Sequence, residues 1–358
     1  MKNRSTWLVR IGIVIFAGMM VAGTIADVYA GQANLDYFKQ AKINWRAYEG
    51  QKLEVGLNKH PYTESLLPLI PEFEALTGIK VDYLILPEGE YFTKLVSDLS
   101  QQRGEFTAIM TGPMRNWEYA TADWLVPLDG FLNDPTLTDK AWYKMEDFYP
   151  GLIAANRWNG KVGGGTGEGS LWSIPVMSES YILAYRKDIF DQYKIKVPTT
   201  MEGMVEAARL VKKSAGIAGI TARGVPVSGT IATGFISGLK SYADGKWNEL
   251  DEKLNPALHD PRSVKFTQMW VDMIRESGPS NWATVYWYDA MENFAAGQAG
   301  MIVDADFFAQ TYEDPQKSKV AGKVGYALIP PGSGKVSYSG LYTWALGMSK
   351  ATKNKEAA

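Results

Sequence analysis

The chain has 358 residues, 46% of them hydrophobic and 21% charged, which is length enough for two domains with separate cores. Lys and Arg number 37 against 39 Asp and Glu, so the formal charge of −2 leaves no basic footprint for nucleic acid or for an acidic membrane surface. Cysteine is absent, which excludes disulfides, thiolate metal sites and cysteine nucleophiles, and histidine occurs only at His60 and His259.

Lys2, Arg4 and Arg10 flank or precede the apolar run Ile11–Ala26, and Val28-Tyr29-Ala30 fits cleavage after Ala30. This is the pattern of a signal peptide over residues 1–30. Its run of about 16 apolar residues is short of the roughly 20 that span a bilayer. The expected mature chain is exported to the periplasm, and it lacks the cysteine that a lipid anchor requires.

Beyond the leader, strands and helices alternate. Leu53–Leu57 reads as a strand, Glu64–Thr77 as a helix stopped by Gly78, and Ile79–Leu86 as a second strand. Glu90–Gln102 places Phe92, Leu95, Val96 and Leu99 on one helical face, and Phe106–Thr111 reads as a third strand ended by Gly112-Pro113. Such alternation predicts parallel βαβ units in an α/β fold, with ligand sites at the strands' carboxyl ends: Asn58–Glu64, Pro87–Tyr91 and Thr111–Trp117. The glycine-rich Asn159–Ser170 lacks both phosphate-cradle spacings and reads as a surface loop.

Tyr181–Tyr185 is a short apolar run typical of a buried strand. Thr199 or Thr200 then caps a helix, with Glu202 as the acid of a capping box. Further on, Gly219–Arg223, Ala299–Val303, Lys323–Ile329 and Leu341–Met348 read as strands. Thr230–Tyr242, Ser263–Glu276, Asp289–Ala296 and Phe307–Tyr312 read as helices.

Carbohydrate sites combine aromatic faces for C–H surfaces with carboxylates, guanidinium and amides for hydroxyls. Candidates of those types stand at predicted strand ends: Arg115 and Trp117, Glu179 just before a strand, Trp287 and Asp289, and Asp304 with Asp306, which extended backbone would aim to one face. Each has a structural reading too. Asp289 and Asp306 could cap helices, Trp117 and Trp287 could be core, Arg115 could pair with a surface acid, and His60 could be a loop residue. Paired acids could also serve glycoside hydrolysis, although no nucleophile motif accompanies them.

Four blocks carry a resemblance. PEFEALTGIKVDYL (Pro71–Leu84), IPVMSESYILAYRKDIFDQYKIKVPTTMEGMVEAARLVK (Ile174–Lys212), FAAGQAGMIVDADFF (Phe294–Phe308) and SGLYTWALGMSKATKNKEAA (Ser339–Ala358) keep order and spacing. Together they resemble the family 1 extracellular solute-binding proteins of carbohydrate ABC transporters. The resemblance implies a two-lobe periplasmic binding protein fold, with hinge-crossing strands and a ligand cleft between lobes. Its expected boundaries are 31–180 for lobe 1, 181–336 for lobe 2 and 337–358 for a return to lobe 1, with the family's last C-terminal stretch lacking after Ala358.

The resemblance further implies a monomeric, non-catalytic receptor without cofactor or metal, which hands a sugar or polyol to membrane permease subunits. It supports Glu179 as a hydroxyl acceptor and the Thr111–Arg115 turn as a polar ligand loop. Phe307 falls where the family's maltose receptors stack a tryptophan. His60, Tyr62 and Glu64 occupy a binding loop by place but not by residue type, and Tyr342 lies at the return crossing. Met201 replaces a usual structural tryptophan. Two alternatives stay open: a polyamine or other cationic-solute receptor using Glu179, Asp289, Asp304 and Asp306, and an exported carbohydrate-active enzyme with paired carboxylates.

Overall fold

A computed structural model describes residues 35–161, 164–226, 232–245, 250–251, 253–332 and 336–358. The expected signal peptide, the start of the Thr230 helix and part of the glycine-rich stretch lie outside the described residues. The strands are β1 (Lys52–Asn58), β2 (Lys80–Leu86), β3 (Ala108–Thr111), β4 (Ser173–Arg186), β5 (Met301–Ala305), β6 (Val324–Ala327) and β7 (Leu341–Met348), besides two two-residue pieces. Two compact units divide them. One runs through Met177 and resumes over Thr343–Ala358, and the other is Ser178–Tyr342. The chain passes between them inside β4 and again inside β7, at 177/178 and 342/343, where the sequence suggested 180/181 and 336/337.

In the first unit β1 pairs in parallel with β2 from Lys52↔Lys80 to Asn58↔Leu86, and with β3 at Val55↔Ala108 and Gly56↔Ile109. The return strand β7 is antiparallel to β3. Helices α1 (Pro61–Leu66) and α2 (Ile70–Thr77) replace the single helix expected from Glu64, because Leu67–Leu69, holding Pro68, tightens into a 3₁₀ turn between them. Gly78 ends α2 at φ +72°, as its sequence position predicts. Helix α3 (Glu88–Ser100) buries Tyr91, Leu95 and Leu99. Helix α4 (Pro113–Thr121) occupies residues read as a loop, since Pro113 sits at a helix start, where its missing N–H costs nothing.

The second unit is not a parallel βαβ sheet. β4 is antiparallel to β5 (Tyr181↔Ala305 through Tyr185↔Met301) and to β6 (Leu183↔Ala327 through Arg186↔Val324). Among the described residues Gly219–Arg223 makes one isolated bridge, Thr221↔Ile302, with Ala218↔Ala299 just before it. Helix α5 (Lys187–Tyr193) precedes α6 (Met201–Ala215). The Thr200 hydroxyl caps α6 by accepting the Gly203 N–H at 3.1 Å, and Gly203 occupies the third helical position, so Glu202 cannot complete a capping box. Met204, Val205, Ala208 and Val211 pack the inner face of α6. α7 (Ser237–Tyr242), α8 (Pro261–Ser277) and α9 (Trp287–Ala295) add Leu239, Phe266, Trp270 and Phe294 to the same core.

Candidate functional site

In the first unit, candidate residues collect at the carboxyl ends of β1 and β3. Asn58 closes β1 wholly buried. Thr63 Oγ1 donates to its carbonyl at 2.7 Å, yet neither end of its carboxamide has a partner among the described residues. His60 is buried and caps α1, its Nδ1 accepting the Tyr62 N–H at 3.2 Å, which leaves Nε2 as the ring's donor. Tyr62 is buried, and burial pushes its hydroxyl up from the ordinary tyrosine value. Glu64 is exposed on α1.

Thr111 is spent internally. Its hydroxyl donates to Asn116 Oδ1 at 3.3 Å, and the Asn116 amide donates to Asn156 Oδ1 at 3.1 Å and to Ser173 Oγ at 2.8 Å. The expected polar ligand turn is thus the start of α4, with its threonine tied into a buried network. Arg115 pairs with Glu118 at 3.0 Å and lies 5.0 Å over the Phe92 ring, which is the structural alternative for it. Trp117 is 57% exposed, so it is not core. Sequence reasoning missed Trp344. From β7 it packs its buried ring 5.4 Å from His60 and stacks near Phe92 at 6.5 Å. The WAL of the return strand was the available signal.

In the second unit, the alternation of β4 buries Glu179, Tyr181 and Leu183 on one side, so Glu179 stands within the strand and not before it. Asp304 and Asp306 part company. Asp304 lies in β5 and pairs with Arg223, whereas Asp306 lies past the strand's end and accepts the Ser180 N–H at 3.1 Å and the Ser180 hydroxyl at 2.6 Å. Burial pushes the Tyr181 hydroxyl well up, with the negative charges of Glu179 and Asp304 adding to it and Arg223 opposing. Burial alone would lower Arg223. The Asp304 charge and hydrogen bonds, with Tyr181 and Glu179 adding, outweigh this and raise it. Glu179, Tyr181, Arg223, Asp304 and Tyr342 therefore lie within electrostatic reach of one another.

The remaining candidates take structural parts. Trp287 is core, stacked 5.9 Å from Phe308. Asp289 is not the N-cap of α9 but its third residue, accepting the Tyr286 N–H at 2.8 Å in a capping box. Phe307 packs edge-on against Phe308 at 4.7 Å, and Tyr342 is half-buried against the same core. Among the described residues, no three His, Cys, Asp or Glu converge to hold a metal.

The bacterial extracellular solute-binding protein family model matches residues 59–358. The erythritol/L-threitol-binding protein of Mycolicibacterium smegmatis is 32% identical over 315 residues, covering 87% of this chain and 66% of the relative. The mannitol-binding protein of Pseudomonas aeruginosa is 26% identical, covering 80% of this chain and 62% of the relative. The chain thus spans less than two thirds of either curated relative. A solute-binding protein of an ABC transporter from Agrobacterium radiobacter K84, solved with ribitol, superposes with a TM-score of 0.76 at 24% identity, over 86% of this chain and 74% of the other. At that identity the likeness speaks for the fold, which is the α/β fold of ABC-transporter solute-binding proteins.

Proposed function

The chain belongs to the bacterial extracellular solute-binding proteins, and from that premise we propose that it is a periplasmic, non-catalytic receptor for a small neutral polyol or sugar. The solute is captured by hinge closure about the two chain crossings and handed to the permease of an ABC importer. The mature receptor acts as a monomer. The observation that carries the neutral class is the state of the acids in the second unit. Asp304 is taken by Arg223, Asp306 by Ser180 and Asp289 by the Tyr286 N–H. Asp304 is compensated in charge, and the oxygens of Asp306 and Asp289 are occupied by hydrogen bonds from the chain, which leaves them less available to the ammonium groups of a polyamine. The same engagement disfavours a pair of acids working as a glycosidase. Two curated relatives, at 32% and 26% identity, are named for polyols, which supports the same class.

Micromolar capture requires about 8 kcal/mol, within reach of several paired hydroxyls and one aromatic contact. Closure follows only if ligand contacts are better in the closed state. Intrinsic fluorescence of the exported chain, which keeps 11 of the 12 tryptophans once Trp7 leaves with the expected leader, tests the reading when titrated with tetritols, pentitols, hexitols, disaccharides and spermidine. A saturable change with a polyol or neutral sugar is expected. A response to spermidine alone would replace the reading with a cationic-solute receptor.

A further inference from the structure

Arg223 was not among the candidates that the sequence singled out, and its side chain is only 12% exposed. It meets Asp304 side-on, Nε donating to Oδ2 at 2.8 Å and Nη2 to Oδ1 at 2.5 Å. That pairing spends one edge of the guanidinium. Nη1 and its two N–H groups donate to no described residue. Arg223 is partly exposed, so these donors are open to a partner from outside the chain.

The surroundings are built. Arg223 lines a cavity of about 110 Å³ together with Thr233, Phe235, Trp270 and Trp282. The Trp282 indole N–H donates to the Arg223 carbonyl at 3.1 Å. Gly224 follows with its N–H on the Val285 carbonyl at 2.8 Å, and a Cβ there would stand 1.9 Å from the Trp282 carbonyl oxygen. Only glycine allows that approach, so the backbone under Arg223 is fixed on the Trp282 side. The cavity is well below the roughly 300–1,000 Å³ of pockets for drug-sized ligands.

Resting on the receptor reading above, we propose that Arg223 contacts the ligand and sets its specificity, its free edge donating to hydroxyl oxygens of a short neutral polyol seated against Phe235, Trp270 and Trp282. Asp304 cancels the guanidinium charge while holding its plane. With its charge cancelled by Asp304, Arg223 offers hydrogen-bond donors without net charge, which suits neutral hydroxyls over a carboxylate or an ammonium. The aromatic walls take the C–H faces of the carbon chain.

The test compares the exported wild-type chain with Arg223→Lys, using erythritol, its 1-deoxy analogue and erythronate in calorimetric titrations. Lysine keeps a charge opposite Asp304 but not the two-edged fork. Affinity for erythritol is expected to fall about tenfold to a hundredfold, the span of one lost set of charge-assisted hydrogen bonds. Removing one hydroxyl from the ligand should weaken binding to the wild type and make little difference to Arg223→Lys, a pattern that a merely structural arginine would not produce. A folded Arg223→Lys that binds erythritol like the wild type overturns this inference and leaves the receptor reading standing. Should Arg223→Lys not fold, the wild type decides alone. Preference for erythritol over erythronate supports the inference, and equal or tighter binding of erythronate overturns it. A wild type that binds no polyol or sugar overturns both readings.

Discussion

Both carboxylate oxygens of Asp306 are engaged by one residue, Ser180, through its backbone N–H at 3.1 Å and its hydroxyl at 2.6 Å. Ser180 lies in β4 two residues past the crossing into the second unit, and the next residue, Tyr181, donates its N–H to Ser339 Oγ at 2.8 Å while its carbonyl accepts from that hydroxyl at 2.7 Å. The entering and returning stretches are thus pinned to the body of their unit. Asp306→Ala leaves the Ser180 N–H without this acceptor and should cost about 1–3 kcal/mol. Urea unfolding checks it, and an unchanged midpoint would remove Asp306 from the structural role given it here.

Asn58 presents the opposite situation, a buried carboxamide with no described partner. Replacing it with an apolar residue of similar size removes an unmade hydrogen-bonding group, so Asn58→Leu should leave the thermal midpoint unchanged or raise it. A midpoint that drops would make Asn58 a structural residue.

Asp304→Asn strips the charge from the partner of a buried guanidinium. Leaving a buried charge uncompensated typically costs about 3–5 kcal/mol, far more than the pair contributes over an apolar substitute. Thermal unfolding of Asp304→Asn should show the loss, and Thr200→Ala is a useful contrast. The latter removes only the cap of α6, at about 0.5–2 kcal/mol, and should leave ligand affinity alone.

Burial raises the hydroxyls of Tyr62, Tyr91, Tyr119, Tyr181 and Tyr312 above the ordinary value of 10.0. A raised folded value means that the unfolded chain gives up these protons first as pH rises. Stability from these groups is therefore whole below about pH 10 and declines above it as the unfolded chain ionises. Spectrophotometric titration should show exposed tyrosines ionising normally, and a second group ionising only together with loss of tertiary structure. A single smooth titration in the folded protein would contradict this.

Much of the architecture was legible because it is local. The period of α6, the Thr200 cap, the Gly78 stop and the apolar run in β4 are all signals carried by neighbouring residues. The full length of β4 was hidden by Ser178-Glu179-Ser180, which look like a loop until every second residue is seen to be buried. α4 was hidden by Pro113, which ends a strand as readily as it starts a helix. The site was least legible. Arg223 and Asp304 are 81 residues apart, and nothing near either names its partner. Two of the candidate acids, Asp289 and Asp306, are occupied by N–H and O–H groups of the chain itself.

The most direct test of the central claim is a calorimetric titration of the exported chain with erythritol, followed by recovery of the solute. Saturable one-to-one binding, with the polyol recovered unchanged, is the predicted result. No heat from a folded protein across the tetritols, pentitols, hexitols and neutral sugars, or recovery of a converted product, would contradict a non-catalytic receptor for neutral polyhydroxylated solutes.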